Sequence, residues 1–590
     1  MVKYRLLRSA AGFCRGSTRT ILPVVIFCWV LYLAQMAPAL EPALAPDGIP
    51  PAEVVRCCNG AVVCVSGPAA AVGLEILKGG GNSVDAAVAT AFALAVTFPE
   101  AGNLGGGGYL LLVPAGKDAK PVVFDFRETA PAAATRDMFV DPQKRTPHRR
   151  VGVPGTVRGL ALAHERFGRL PWRDVVSPAV KLAQEGFPLD AATAKSLNSV
   201  LKRSDKSQFE RLHRLYAAPG GREWQTGDRL VLAELGATLR AIADEGPDGF
   251  YKGRVAELIV AEMRCGNGLI TMQDLAAYQA ISREPIRGTY RGCEILGVPP
   301  SSSGGITLVE TLNILENFDL KKQGRWSPDT LHLMIEAMKR SYRDRACYLG
   351  DPATIAIPDK LITKQYAKEL AKGIDLSRAT PSAELAGSIS LVPEGDHTTH
   401  LSVIDRDRNA VSLTFTLESA YGSRVVVAGG GFLLNDEMND FGWLPGITDA
   451  TGRIGTDPNQ IAPGKRMLSS MCPTVILRDG RPLLITGSPG GRTIINTVLC
   501  TVVNVIDFEM DIGSAVSAPR MHHQWLPDRV RAEPALLEQH AAAIAELRAR
   551  GHEFGKPARQ GDAHSIWIDL ATGEIVAAAD GRVSGKAAGY

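Results

Sequence analysis

The chain has 590 residues, of which 45% are hydrophobic, 22% charged and 6% aromatic. That balance excludes a disordered or collagen-like chain and leaves ample apolar sequence for a large core. A net charge of +3, from 65 basic and 62 acidic side chains, argues against a dedicated nucleic-acid binder, which carries a clear basic excess.

The charge is unevenly placed. Lys3, Arg5, Arg8, Arg15 and Arg19 all precede the first acid, Glu41, so loss of residues 1–39 takes +3 to −2. A basic start, an apolar run over 21–34 and small residues at 37–39 follow the order of a secretory signal. The apolar run is short beside the roughly 20 residues of a bilayer span. Residues 1–39 therefore read as a signal peptide, with a signal anchor as the alternative. Either way the rest of the chain is expected outside the cytoplasm, periplasmic or secreted. Of ten cysteines, Cys57, Cys58 and Cys64 are close enough for a local bridge, and most others read as small buried residues. No Cys or His spacing suits zinc.

Residues 40–52 read as a linker. Helices are expected at 69–77, from 83 to just before Pro99, and at 156–167, 173–185, 229–244, 254–264, 306–316 and 328–348. Strands are expected at 109–113, 122–126 and 294–298. The glycines at 105–108 read as a tight turn between helix and strand. Residues 379–397 are mostly polar and poorly periodic. Beyond them the texture changes to strands at 399–404, 410–417, 475–478, 483–486, 566–569 and 575–578, with helices near 491–506 and 535–550.

Neither glycine run matches a phosphate-binding fingerprint. The run at 487–491 has another use, since successive glycine N–H groups can stabilise an oxyanion. His522 and His523 alternate along a strand and suit structural roles better than one metal, and His397 and His400 lack further ligands at metal spacing. Thr398 is more informative. It stands at the start of a strand after an irregular segment, where backbone cleavage would make its own α-amine the base that a threonine nucleophile needs.

The stretch from Thr398 to Glu418 (TTHLSVIDRDRNAVSLTFTLE), followed by Tyr421-Gly422, resembles the small-subunit signature of the γ-glutamyltranspeptidases, which are self-cleaving N-terminal-nucleophile hydrolases. The likeness extends over nearly the whole chain after the signal. It includes residues 103–108, 125–128 (DFRE), 153–156 (VPGT), 300–305 (PSSSGG) and 348–352 (YLGDP). It continues through 433–441, 468–471 (LSSM), 487–491, 522–527 (HHQWLP) and the closing Ala588-Gly-Tyr590.

The resemblance implies an α/β (α+β) fold, a four-layer αββα sandwich. It implies a large subunit, 40–397, and a small catalytic subunit, 398–590, which pair as a heterodimer and form one composite domain. Scission would fall between His397 and Thr398. Thr398 would be the nucleophile, oriented by Thr416, and Gly490 and Gly491 would form the oxyanion hole. Arg127, Ser469 and Ser470 would hold the donor's α-carboxylate, and Glu418, Glu437 and Asp440 would face its α-ammonium.

The expected activity is γ-glutamyl transfer from glutathione or related γ-glutamyl compounds to water, amino acids or dipeptides. No metal or other cofactor and no nucleic acid is expected. Two departures stand out. The family usually has glycine at the turn position held by Arg408, and some members carry a lid-loop aromatic where the loop 442–463 has Thr451. The rival readings are a cephalosporin or glutaryl acylase on the same scaffold and an uncleaved, inactive binding protein.

Overall fold

Two seven-stranded antiparallel sheets lie face to face between two layers of helices. The computed structural model describes residues 49–116, 119–386, 398–449, 451, 454–583 and 585–590. The leader 1–39, His397, most of the polar stretch before it and part of the loop 442–463 lie outside the described residues.

The strands of the two sheets are β1 (Glu53–Cys57), β2 (Ala61–Cys64), β3 (Gly107–Val113), β4 (Val122–Asp125), β5 (Ile281–Arg283), β6 (Ile286–Tyr290) and β7 (Cys293–Gly297). Then come β8 (Thr399–Ile404), β9 (Ala410–Thr416), β10 (Thr474–Arg478), β11 (Arg481–Thr486), β12 (Ser565–Ile568), β13 (Ile575–Ala579) and β14 (Lys586–Gly589). One sheet runs β1-β13-β12-β11-β10-β7-β6 and the other β14-β2-β8-β9-β3-β4-β5. Residues on either side of position 397 thus interleave in both sheets, and neither part could complete a sheet alone.

Strand periodicity produces the layers, because successive side chains point to opposite faces. On β3, Leu110 and Leu112 pack outward against helices, while Tyr109, Leu111 and Val113 face the other sheet. On β13, Val576 and Ala578 pack outward, and Ile575, Ala577 and Ala579 point between the sheets. The outer layers include α1 (Gly67–Lys78), α2 (Ser83–Thr97), α3 (Thr156–Phe167), α4 (Trp172–Glu185) and α5 (Ala233–Glu245) on one side. On the other are α6 (Gly304–Leu315), α7 (Pro328–Tyr348) and α8 (Thr493–Ile506). The expected αββα sandwich is present.

Every residue of α2 is buried, and a reciprocal cap between Asn82 and Asp85 fixes its start. Three readings need correction. The expected helix at 229–244 begins at Ala233, because Arg229–Leu230 pairs as a short strand with Phe187–Pro188. The expected helix at 535–550 is two helices, Pro534–Gln539 and Ala541–Ala549, broken at His540, whose ring stacks on Trp326. The eight cysteines among the described residues are free thiols, including Cys57, Cys58 and Cys64.

Candidate active site

On the central strands β8 and β9 the positions facing the other sheet turn polar toward one end. Val411, Leu413 and Phe415 pack outward into the helical core, whereas Ser412, Thr414 and Thr416 alternate with them and face inward. The His400 ring bonds the Thr414 hydroxyl at 2.8 Å, and Ser412 donates to the Thr486 carbonyl at 3.0 Å. Thr398 directly precedes β8. The β8–β9 register pairs Thr399 with Phe415, so one further step brings Thr398 opposite Thr416.

Thr416 is held from two directions. Its hydroxyl accepts the Glu418 N–H at 2.8 Å, which turns the chain sharply and leaves Glu418 at φ +77°. Its carbonyl accepts the Asn103 amide at 2.8 Å. The glycines at 105–108 are therefore not a simple turn. Gly107 and Gly108 already belong to β3, and a Cβ on Gly106 would lie 1.9 Å from the Thr416 carbonyl oxygen. Glycine is needed there for close backbone approach.

Thr398 and Thr416 line a cleft together with Arg127, Glu418, Glu437 and Asp440. Ser469, Ser470 and Gly491 complete it. Gly490 is not part of this lining; with Thr398 it walls a second, larger cavity. Gly490 and Gly491 have φ of +128° and +54°, backbone conformations that a side chain would strain. The N-terminus of α8 begins two residues later and adds the positive end of its dipole.

Arg127 follows β4 and is fully buried. Its guanidinium bonds Glu437 and Asp440, and Glu128 lies 3.4 Å away. Burial alone would make Arg127 easier to deprotonate, but these three carboxyls more than offset it and hold its pKa well above the usual value. The acids move as a group. Burial raises Glu437 well above the carboxylate range, and Glu128, Asp440 and Glu418 raise it further against the pull of Arg127. Burial and then Asp436 and Asp440 do the same to Glu418. Burial pushes Glu128 up to about 7. The cleft thus gathers one guanidinium and two serines together with a cluster of buried carboxyls, two of which bond that guanidinium.

Some supporting residues were not legible beforehand. Asn435 accepts the Glu437 N–H at 3.0 Å and the Gly152 N–H at 2.8 Å, and donates to the Gly105 carbonyl at 2.7 Å, tying three segments together. Asp436 accepts from Ser419 and Asn439 and so holds the turn that carries Glu418. The 300–305 motif fixes the serines: Ser303 donates its N–H and hydroxyl to the Ser469 carbonyl at 2.8 and 2.6 Å, and Ser469 donates its N–H to Ser301 at 3.0 Å. Sequence showed these motifs but not which segments they join.

The His522 ring bonds Asn496 and Gln524, whereas the His523 ring lies against Asp528. Arg408 takes the positive φ of its turn, +72°, and donates to the Gly573 and Cys58 carbonyls. Thr451 is exposed and donates to Asp449 at 2.7 Å. The flanking Trp443 packs on Phe139 and anchors the start of its loop through the Met438 carbonyl.

Comparison with known proteins identifies the family. The sequence profile of the family described as "Gamma-glutamyltranspeptidase" matches residues 69–590. The glutathione hydrolase proenzyme of Escherichia coli (strain K12) is 44% identical over 576 residues, covering 95% of this chain and 97% of that one. The acylase ACY 1 proenzyme of Pseudomonas sp. (strain SE83) is 37% identical over 517 residues, covering 85% and 88%. Among solved structures, the cephalosporin acylase of Bacillus halodurans superposes with a TM-score of 0.81 at 28% identity, covering 94% of this chain and 99% of that one. With the profile spanning most of the chain and a relative this similar along its whole length, the chain belongs to the γ-glutamyltranspeptidase family.

Proposed function

We propose that this protein is an autoprocessing γ-glutamyltransferase and glutathione hydrolase whose nucleophile is Thr398. The observation that carries the reading is a cleft lined by Thr398 and Thr416 together with Arg127, Ser469 and Ser470 and the acids Glu418, Glu437 and Asp440. A γ-glutamyl donor presents both complementary charges there, an α-carboxylate and an α-ammonium. Arg127, Ser469 and Ser470 receive the first, since a guanidinium fork matches a carboxylate. Glu418, Glu437 and Asp440 receive the second.

In the precursor the Thr398 hydroxyl attacks the carbonyl of residue 397, and water hydrolyses the resulting ester. Scission yields a large subunit ending at 397 and a small subunit starting at 398. The freed α-amine then takes the proton from the Thr398 hydroxyl as it attacks the donor's γ-carbonyl. The N–H groups of Gly490 and Gly491 stabilise the oxyanion, each such donor being worth about 3 kcal/mol of barrier. The intermediate collapses to an acyl-threonine ester and releases the amine with its proton. Water, or the amine of an amino acid or dipeptide, attacks the ester and regenerates Thr398. The larger cavity behind Gly490 offers the departing and arriving amines a route separate from the donor cleft.

An acylase reading has support from relatives on the same scaffold. A glutaryl group would bring a carboxylate to Arg127 but no ammonium to the acids that Arg127 pairs with, which favours γ-glutamyl donors. Rates on γ-glutamyl and glutaryl anilides test this directly. Faster γ-glutamyl cleavage is expected, and faster glutaryl cleavage would overturn the reading. The basic, apolar and small-residue order of residues 1–39 supports export, with cleavage or retention as an anchor. No helix among the described residues is long and apolar enough to cross a membrane.

A further inference from the structure

Arg345 sits near the end of α7, only 3% exposed, and makes contacts that no step above uses. Its Nη2 donates to the Ser470 hydroxyl at 2.9 Å, and its Nε donates to the Ser303 hydroxyl at 2.8 Å. Ser303 passes its own proton on to the Ser469 carbonyl at 2.6 Å. One guanidinium thus reaches both serines of the donor cleft, Ser470 directly and Ser469 through its backbone. It does so across the expected scission point, from residue 345 to residues 469 and 470.

The direction of these bonds matters. A guanidinium has no acceptor, so the Ser470 hydrogen must point away from Arg345. The Ser469 hydroxyl likewise accepts the Met471 N–H at 3.1 Å. Each hydroxyl meets an N–H donor on its protein side, and its hydrogen is left for an acceptor in the cleft that both serines line. Two O–H donors beside Arg127 suit a carboxylate, which accepts at both oxygens. A carboxamide offers one acceptor and presents an N–H₂ to groups already committed as donors.

We propose that Arg345 is the positioning residue that sets Ser470 as a hydrogen-bond donor, steadies the Ser469 backbone beside it, and thereby makes the site selective for a donor with a free α-carboxylate. The inference rests on the reading of the cleft given above and extends it to a residue of α7 that touches no substrate. It predicts a loss confined mainly to binding, because the contact is made equally in the ground and transition states.

The test compares wild type with R345Q, R345K and S303A. Electrophoresis first establishes scission and thermal melting establishes folding. Steady-state kinetics then follow a γ-glutamyl anilide and its α-carboxamide analogue. R345Q is expected to raise KM for the carboxylate donor about 10- to 100-fold, as for loss of a charge-assisted hydrogen bond, with a smaller change in kcat. Its preference for the carboxylate over the carboxamide donor should fall about tenfold or more. R345K keeps the charge but one bond at most, and should lie between wild type and R345Q. S303A should raise KM modestly without removing the charge.

If R345Q does not fold or cleave, R345K and S303A still decide. Unchanged KM and unchanged discrimination in whichever variants are folded and cleaved would overturn the proposal. Wild type inactive on the γ-glutamyl anilide would instead defeat the underlying functional reading, and the role of Arg345 would fall with it.

Discussion

Arg127 and Glu437 face each other as a buried ion pair in the cleft that Thr398 also lines, both essentially without solvent exposure. In the proposed reading the donor's carboxylate would pair with the first and its ammonium with the second, so a donor would enter by exchanging one ion pair for two. A ligand with only one of the two charges would break the internal pair and leave a buried partner uncompensated, which is costly.

This exchange predicts the effect of D440N. Asp440 shares Arg127 with Glu437, and removal of its charge weakens the hold on the ammonium. KM for γ-glutamyl donors should rise about 10- to 100-fold, the scale of a charge-assisted hydrogen bond. Glutaryl donors, which have no ammonium, should be little affected. Parallel kinetics on the two anilides check it. An equal loss on both would remove Asp440 from ammonium binding.

The acids also predict a pH dependence. Burial pushes Glu128 from the usual 4.5 up to about 7 in the folded protein. Between those values the folded state keeps a proton that the unfolded chain has released. Its contribution is complete below about 4.5 and is lost as pH rises through about 7, on the order of 3 kcal/mol at most. Relative to E128Q, wild type should lose stability between pH 5 and pH 8 in denaturant melts. A parallel pH profile for the two proteins would contradict this.

Thr416 should act through Thr398. T416A removes the hydroxyl that accepts the Glu418 N–H in the cleft shared with Thr398, so kcat should fall about 10- to 100-fold. T416S keeps the hydroxyl and should retain most activity. Equal activity in both variants would reduce Thr416 to an ordinary strand residue.

Arg408 tests the departure at the β8–β9 turn. The residue holds φ +72°, and its guanidinium bonds the Gly573 and Cys58 carbonyls. R408A keeps the strain and loses those bonds, whereas R408G loses the bonds and the strain together. R408G should therefore be the more stable of the two by about 1 kcal/mol, measured by thermal unfolding, with turnover unchanged in both.

Much of this arrangement was legible in the sequence because it is local. The cap and apolar content of α2 and the alternation of β8 and β9 marked these elements, and the ordered motifs, through the family they resemble, pointed to the four layers and to nine residues that line one cleft. What was not legible depends on distant contacts. β14 consists of Lys-Ala-Ala-Gly, which carries no strand signal, and forms only because β2 offers an edge. Asn435 joins Gly105 and Gly152, and Ser303 joins Ser469, across separations that no window of sequence contains. The glycines at 105–108 read as a turn because glycine permits turns, whereas at Gly106 the need is for close approach to Thr416.

The central claim is that Thr398 becomes a chain terminus and then the nucleophile. Intact-mass measurement with N-terminal sequencing of the purified, active protein tests it most directly. Two fragments are expected, of about 38 and about 21 kDa as proportional shares of 63.0 kDa, the smaller beginning at Thr398. T398A should remain a single inactive chain. An active wild-type enzyme that stays uncleaved, or a small fragment beginning at another residue, would contradict the account.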